Sequence, residues 1–184
     1  MVVSDYYSRE LDTSDYGISN LAFNGINETW GPFDVDGFAS ETNRKVECFF
    51  SKLYSQSAAG MDGLAQRWEG LHLWLCPPLP LVSKVIWKLV VSQGASGVLV
   101  VPKWPLSNFW MTLLPDGSHF ASCVRNWIAF RPKYYSGDAV TSRIFRGVKK
   151  WETLAVYLAA GASDPLEPNY AREFCIKCGC ALCE

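Results

Sequence analysis

The tightest constraint on how this chain can fold is the stretch 71–94, LHLWLCPPLPLVSKVIWKLVVSQG. Leu71, Leu73, Trp74 and Leu75 form an apolar run of strand length bounded by turn residues, the pattern of a strand covered on both faces. Pro77 and Pro78 end it. Each fixes φ at about −65° and removes a backbone donor, so the chain from Cys76 to Leu79 is held extended, with carbonyls free to accept bonds from a ligand. From Pro80 the period changes. Leu81, Val82, Val85, Ile86, Leu89 and Val90 recur at helical spacing with Ser83, Lys84 and Lys88 opposite; Pro80 suits the first helical position and Gly94 the C′ position. Gly97-Val98-Leu99-Val100-Val101 follows as a second apolar strand. Strand, helix, strand in that order is a βαβ unit with parallel strands and a right-handed crossover. Ligands of such sheets bind at the carboxyl ends of the strands, where 76–79 and 102–105 fall.

The flanking segments extend this unit into one layered domain. A helix is predicted from Thr13 or Ser14 to about Trp30, weakened by Gly17 and Gly25 and stopped by Gly31-Pro32. Phe33 to Asp36 reads as a strand entering the small-residue turn Gly37-Phe38-Ala39-Ser40, and 46–51 as a second strand. Beyond Val101, 108–114 reads as a short helix closed by Pro115-Asp116-Gly117, and 119–126 as another. Strand composition at 127–130, 143–146 and 153–158 finishes the sheet, antiparallel at its edge. The fold class is therefore α/β, a Rossmann-like, doubly wound, mainly parallel sheet. Past Gly161 the composition turns polar with two prolines, which separates a linker and Cys-rich tail (161–184) from the main domain (13–160).

Composition bounds the function. Hydrophobic residues make up 49% of the 184 and charged ones 19%, enough apolar material for a substantial core. With 17 basic and 18 acidic residues the net charge is −1, so no global field would hold a polyanion and any nucleic-acid surface is local. No basic-then-apolar leader opens the chain and no apolar run is long enough to cross a bilayer. The expectation is an intracellular protein, cytoplasmic or nuclear, with no membrane partner and its 7 cysteines reduced or metal-bound.

Several residues carry more than one reading. Gly37 to Ser40, with Asp36 before it, is either an ordinary βα turn or a loop whose amides approach the polar end of a nucleotide-like cofactor. Asp62, close to Trp68, is either a turn or cap aspartate or a partner for an adenine ring. His72 and His119 supply all the imidazole in the chain and form neither a triad nor a metal centre; His72 reads as a core or edge residue, His119 as solvated. Cys175, Cys178, Cys180 and Cys183 make CxxCxCxxC. Zinc is the metal four such thiolates would take, but only Gly179 separates the pairs, so the set is a strained site, a site shared with another chain, part of a longer module, or a thiol-rich tail. Cys48, Cys76 and Cys123 read as isolated small hydrophobes.

Taken in order, the motifs are more specific than any one of them. Asp36-x-Phe38-Ala39-Ser40-x-x-Asn43, Asp62-Gly63-Leu64 with Trp68, Trp74-x-x-Pro77-Pro78 with its following helix, and Val100-Val101-Pro102-x-Trp104 with Trp110 resemble the Dam-like DNA adenine methyltransferase domain of DIRS and Ngaro type retrotransposons. The resemblance covers roughly 12–160. Ser4 to Arg9 is similar to the segment that closes the RNase H preceding that domain in the element, which makes 1–12 a remnant.

The resemblance implies a sheet that binds S-adenosylmethionine at its first strand, through Asp36, Phe38, Ala39, Ser40 and Asp62, with DNA as partner and a flipped adenine received at the fourth. In active members an Asp or Asn, two prolines and an aromatic receive the base: the polar side chain and a proline carbonyl accept from the exocyclic amine, and the aromatic stacks. Here that motif is Cys76-Pro77-Pro78-Leu79. A thiol is a weak acceptor, and losing one well-placed polar contact costs on the order of a hundredfold in rate. Leucine forfeits stacking of about 1–3 kcal/mol. Ala39 and Glu41 stand where glycines are expected around Phe38, and Glu41 is placed to repel the cofactor carboxylate. The implied protein is a degenerate methyltransferase-like domain that binds nucleic acid or a partner. Its rivals are a live adenine methyltransferase, with Asp36 on the cofactor amine and the Pro77 carbonyl on the target amine, and a zinc-binding interaction protein working through the tail.

Overall fold

The computed structural model describes residues 16–131, 133–135, 145, 147–148 and 151–161. In chain order the elements are β1 (Gly17–Ile18), α1 (Asn20–Trp30), β2 (Val35–Ala39), β3 (Phe49–Ser51), β4 (Gly60–Met61), β5 (His72–Leu75), a 3₁₀ turn (Leu79–Leu81), α2 (Val82–Val91), β6 (Ser96–Pro102), α3 (Trp110–Leu113), β7 (Val124–Phe130), β8 (Lys133–Tyr135), β9 (Gly147–Val148) and β10 (Thr153–Ala159).

Seven strands form one sheet in the order β4-β3-β2-β5-β6-β10-β7. The first five run parallel. β10 is antiparallel to both of its neighbours, so β7 beyond it again points the same way as β6. The antiparallel strand is thus inserted next to the edge, where the sequence suggested the edge itself. From β2 the chain steps outward to β3 and β4 and then returns to β5 on β2's other side, which makes the gap between β2 and β5 the point where strand order reverses. A small antiparallel sheet, β1-β8-β9, is hydrogen-bonded separately from the main one, with Ile18 of β1 packed in the same core as Trp74 and Val98.

Two apolar layers follow from the period-two alternation of the strands. Leu73, Leu75, Leu99, Val101, Leu154, Val156 and Leu158 face one way, against Val82, Val85, Ile86 and Leu89 of α2. Trp74, Cys76, Val98, Val100 and Ala155 face the other, against Ala22 and Ile26 of α1 and against Tyr16 and Phe145. Continuous apolar runs in β5 and β6 were the sequence signal for this double coverage. Gly94 takes the left-handed conformation at φ +72° in the turn into β6, but it lies one residue beyond the C′ position expected of it, because Ser92 is the C-cap of α2.

Local pattern misplaced several boundaries. The first helix begins at Ser19, whose hydroxyl accepts from the Ala22 amide, because Tyr16 and Ile18 are core residues and 17–18 pair with β8; Thr13 and Ser14 lie outside the described residues. Gly37 to Ala39 belong to β2 and only Ser40 opens the turn, since β2 is paired on both sides. β3 begins at Phe49, not Val46, because Asp36 draws the Lys45 amide to its side chain. Pro80 sits in the 3₁₀ turn, and Val90 is turned outward. The expected helix at 119–126 is a turn leading into β7: Asp116 takes the Ser118 and His119 amides. Of the strand expected at 143–146, Phe145 alone is described, buried in a turn.

Candidate functional site

Three segments predicted to act together do meet at the carboxyl end of the sheet. β2 and β5 pair directly, Val35 with Leu73 and Asp36 with Trp74, so the loop after Ala39 lies beside the double-proline corner. At Gly37 a Cβ would stand 2.9 Å from the Leu75 side chain. At Gly63 one would stand 2.1 Å from the Gly37 carbonyl oxygen, so only glycine lets the Asp62-Gly63-Leu64 turn close onto β2. Trp68 fixes that turn from below by donating its indole N–H to the Gly63 carbonyl at 2.9 Å, and Phe38 meets the same indole edge-to-face.

The polar groups at this junction are bonded to one another. Asp36 is 2% exposed; one carboxylate oxygen accepts the Phe38 amide (3.3 Å) and the other the Lys45 amide (2.9 Å). The Ser40 amide donates to Asn43 Oδ1 at 2.7 Å. The Phe38 and Ser40 amides, which a small-residue loop would present to an anionic group, are therefore already taken. Ala39, in the same stretch, is buried in the strand. Glu41, expected to repel a cofactor carboxylate, accepts hydroxyl bonds from Ser55 and Ser57, which hold its carboxyl below the usual glutamate range and tie the loop to the β3–β4 connection. Asp62 adopts φ 57° and spends one carboxylate oxygen on the Leu64 amide, the geometry of a turn aspartate.

The double-proline corner is likewise turned inward. Cys76 is 6% exposed and its thiol donates to the Tyr16 carbonyl at 3.4 Å. Pro77 is buried, and the Pro78 carbonyl accepts the Leu81 amide, closing the 3₁₀ turn. Leu79 packs against both apolar layers, as does Trp104. Sequence reasoning expected free carbonyls along 76–79; at Pro78 the turn consumes the acceptor.

Two residues that sequence reasoning missed organise this face. Tyr16 donates its hydroxyl to the Val100 carbonyl at 2.6 Å and stacks on Phe145, which places its own carbonyl over Cys76. Lys45 reaches Asn20 Oδ1 at 2.6 Å; burial lowers its pKa, partly offset by Cys76 and Asp36. Neither carries a local signal, because each acts on a residue distant in sequence. Asn43 did: it is the last residue of the Asp36 to Asn43 pattern.

The remaining candidates are structural. His72 bridges the Trp30 carbonyl (2.6 Å) and the Ser96 hydroxyl (2.8 Å), and His119 bonds Asp116 at the surface. Burial pushes the Cys123 thiol up; Cys48, read as a small hydrophobe, is exposed. Cys175, Cys178, Cys180 and Cys183 lie outside the described residues, as does the remnant at 1–12. Among the described residues no cluster of His, Cys, Asp or Glu could hold a metal ion, and no helix is long and apolar enough to cross a membrane. No family model matches the chain, and no curated protein matches it.

Proposed function

We propose that this chain is a degenerate DNA adenine methyltransferase-like domain of retroelement origin, one that keeps the fold as a nucleic-acid or partner-binding module without methyl transfer. The strand order supports the lineage. Five parallel strands, then an antiparallel strand slotted beside a last parallel one, resemble the sheet of doubly wound S-adenosylmethionine-dependent methyltransferases. In support of the reading, β2 and β5, which carry two of the motifs, pair on either side of the switch point, and the Gly63 turn closes onto β2 beside them.

The observation that carries the loss of chemistry is the state of Cys76. Methylation of an exocyclic amine requires an open acceptor that draws the nitrogen lone pair toward the sulfonium, and in this reading Cys76 occupies that place. Its thiol is a donor to Tyr16, buried under the chain's own backbone. Asp36, in the place of the cofactor-amine partner, is buried and doubly bonded to local amides. Ser40 and Asp62 use their own polar groups in turn geometry. S-adenosylmethionine, if bound, would have to share these acceptors with the chain's own amides or displace them.

Isothermal titration with S-adenosylmethionine, together with transfer of labelled methyl to adenine-containing DNA, tests the reading. Neither micromolar binding nor incorporation is expected; clear binding with incorporation overturns it. If the cofactor binds without transfer, restoring an acceptor and a stacking ring with Cys76→Asn and Leu79→Tyr should move the protein toward transfer. No gain in transfer in that case would count against placing the target motif at 76–79.

A further inference from the structure

α2 buries one face and leaves a second apolar stripe uncovered. Trp87 is 68% exposed, Val91 56% and Val90 39%. They stand three and four residues apart, so they form one continuous strip along the helix. An exposed tryptophan flanked by two valines is the kind of surface that proteins cover. The helix contains Lys84 and Lys88 and no acidic residue.

The chain leaves the described fold beside this helix. Ser92 caps α2, the Ala95 amide donates to the Ser92 carbonyl, and the Ala95 carbonyl accepts the Ala160 amide at 2.9 Å. Arg125 holds the Ala160 and Gly161 carbonyls, fixing the exit point at the carboxyl end of α2. The polar linker 162–169 reaches up to about 26 Å at roughly 3.3 Å per residue. α2, with 10 residues, is about 15 Å long. Asp164 and Glu167 lie in that linker, opposite in charge to Lys84 and Lys88, and Tyr170 and Phe174 follow at the four-residue spacing of a single helix face.

We propose that the segment 162–176 of this same chain docks on α2, with Tyr170 and Phe174 covering Trp87, Val90 and Val91 and the linker acids running past Lys84 and Lys88. Charge favours this occupant over a second copy, because α2 carries two lysines and no acid, the Lys88 ammonium lying over the Trp68 ring, and only the linker brings acids to them. The inference does not depend on the methyltransferase reading.

A photoreactive residue in the full chain tests it directly. With Trp87→p-benzoylphenylalanine, irradiation should give an intramolecular cross-link whose peptides map within 162–184. The same reporter combined with Tyr170→Ser and Phe174→Ser should lose that cross-link. A product of doubled mass would overturn the proposal in favour of self-association through α2. A cross-link mapping elsewhere in the chain, no cross-link, or one that survives the double serine substitution would also overturn it.

Discussion

At the scale of single residues, the junction is decided by how closely backbones approach. Gly63 matters because the Gly37 carbonyl occupies the space a methyl group would need. Gly63→Ala should therefore cost about 1–3 kcal/mol, the usual penalty for forcing an atom into packed surroundings, read as a lower urea midpoint with an unchanged slope. An unchanged midpoint would mean that the 62–64 turn is not held against β2. The Asp62-Gly63 pair was legible as a turn, and Asp36 as the end of a buried strand. Their polar saturation was not. Whether a carboxylate faces a ligand or its own chain depends on the nearest amide, and for Asp36 that amide belongs partly to Lys45, nine residues on.

At the scale of elements, periodicity located the helices better than their ends. α2 was visible from its repeating apolar positions, and its partner strands from their length and unbroken apolarity. α1 was overextended, because Ile18 has the spacing of a helical core residue yet is buried from a strand. The true start is chemical: Ser19 takes an extended backbone and bonds the Ala22 amide. Ser19→Ala should lower stability by about 1 kcal/mol through loss of this cap, measured by thermal or urea unfolding. A neutral result would place the helix start elsewhere. The helix expected at 119–126 failed for a comparable reason, since Asp116 collects the amides of Ser118 and His119 and turns the chain before a helix can begin.

At the scale of the whole molecule, β10 holds the sheet together. It pairs with β6 along its whole length, Thr153 to Ala159, the longest paired run among the described residues, and with β7 from Thr153 to Leu158 with a register shift after Tyr157. Native-state hydrogen exchange should therefore be slowest for the amides of Val98 to Val101 and Leu154 to Val156, and fastest among these sheet strands for the short outer strand β4. Equal protection of β4 and β6 would contradict that ranking. By itself the sequence determined the alternation of strand and helix, the parallel βαβ unit at 71–101 and the double coverage of its strands, because period and apolarity are written locally. Only the tertiary structure decided that β10 enters antiparallel beside β6, and that Tyr16 lays its carbonyl over Cys76 across 60 positions of chain. Those outcomes depend on which faces meet when the layers close, and no window of neighbouring residues contains that choice.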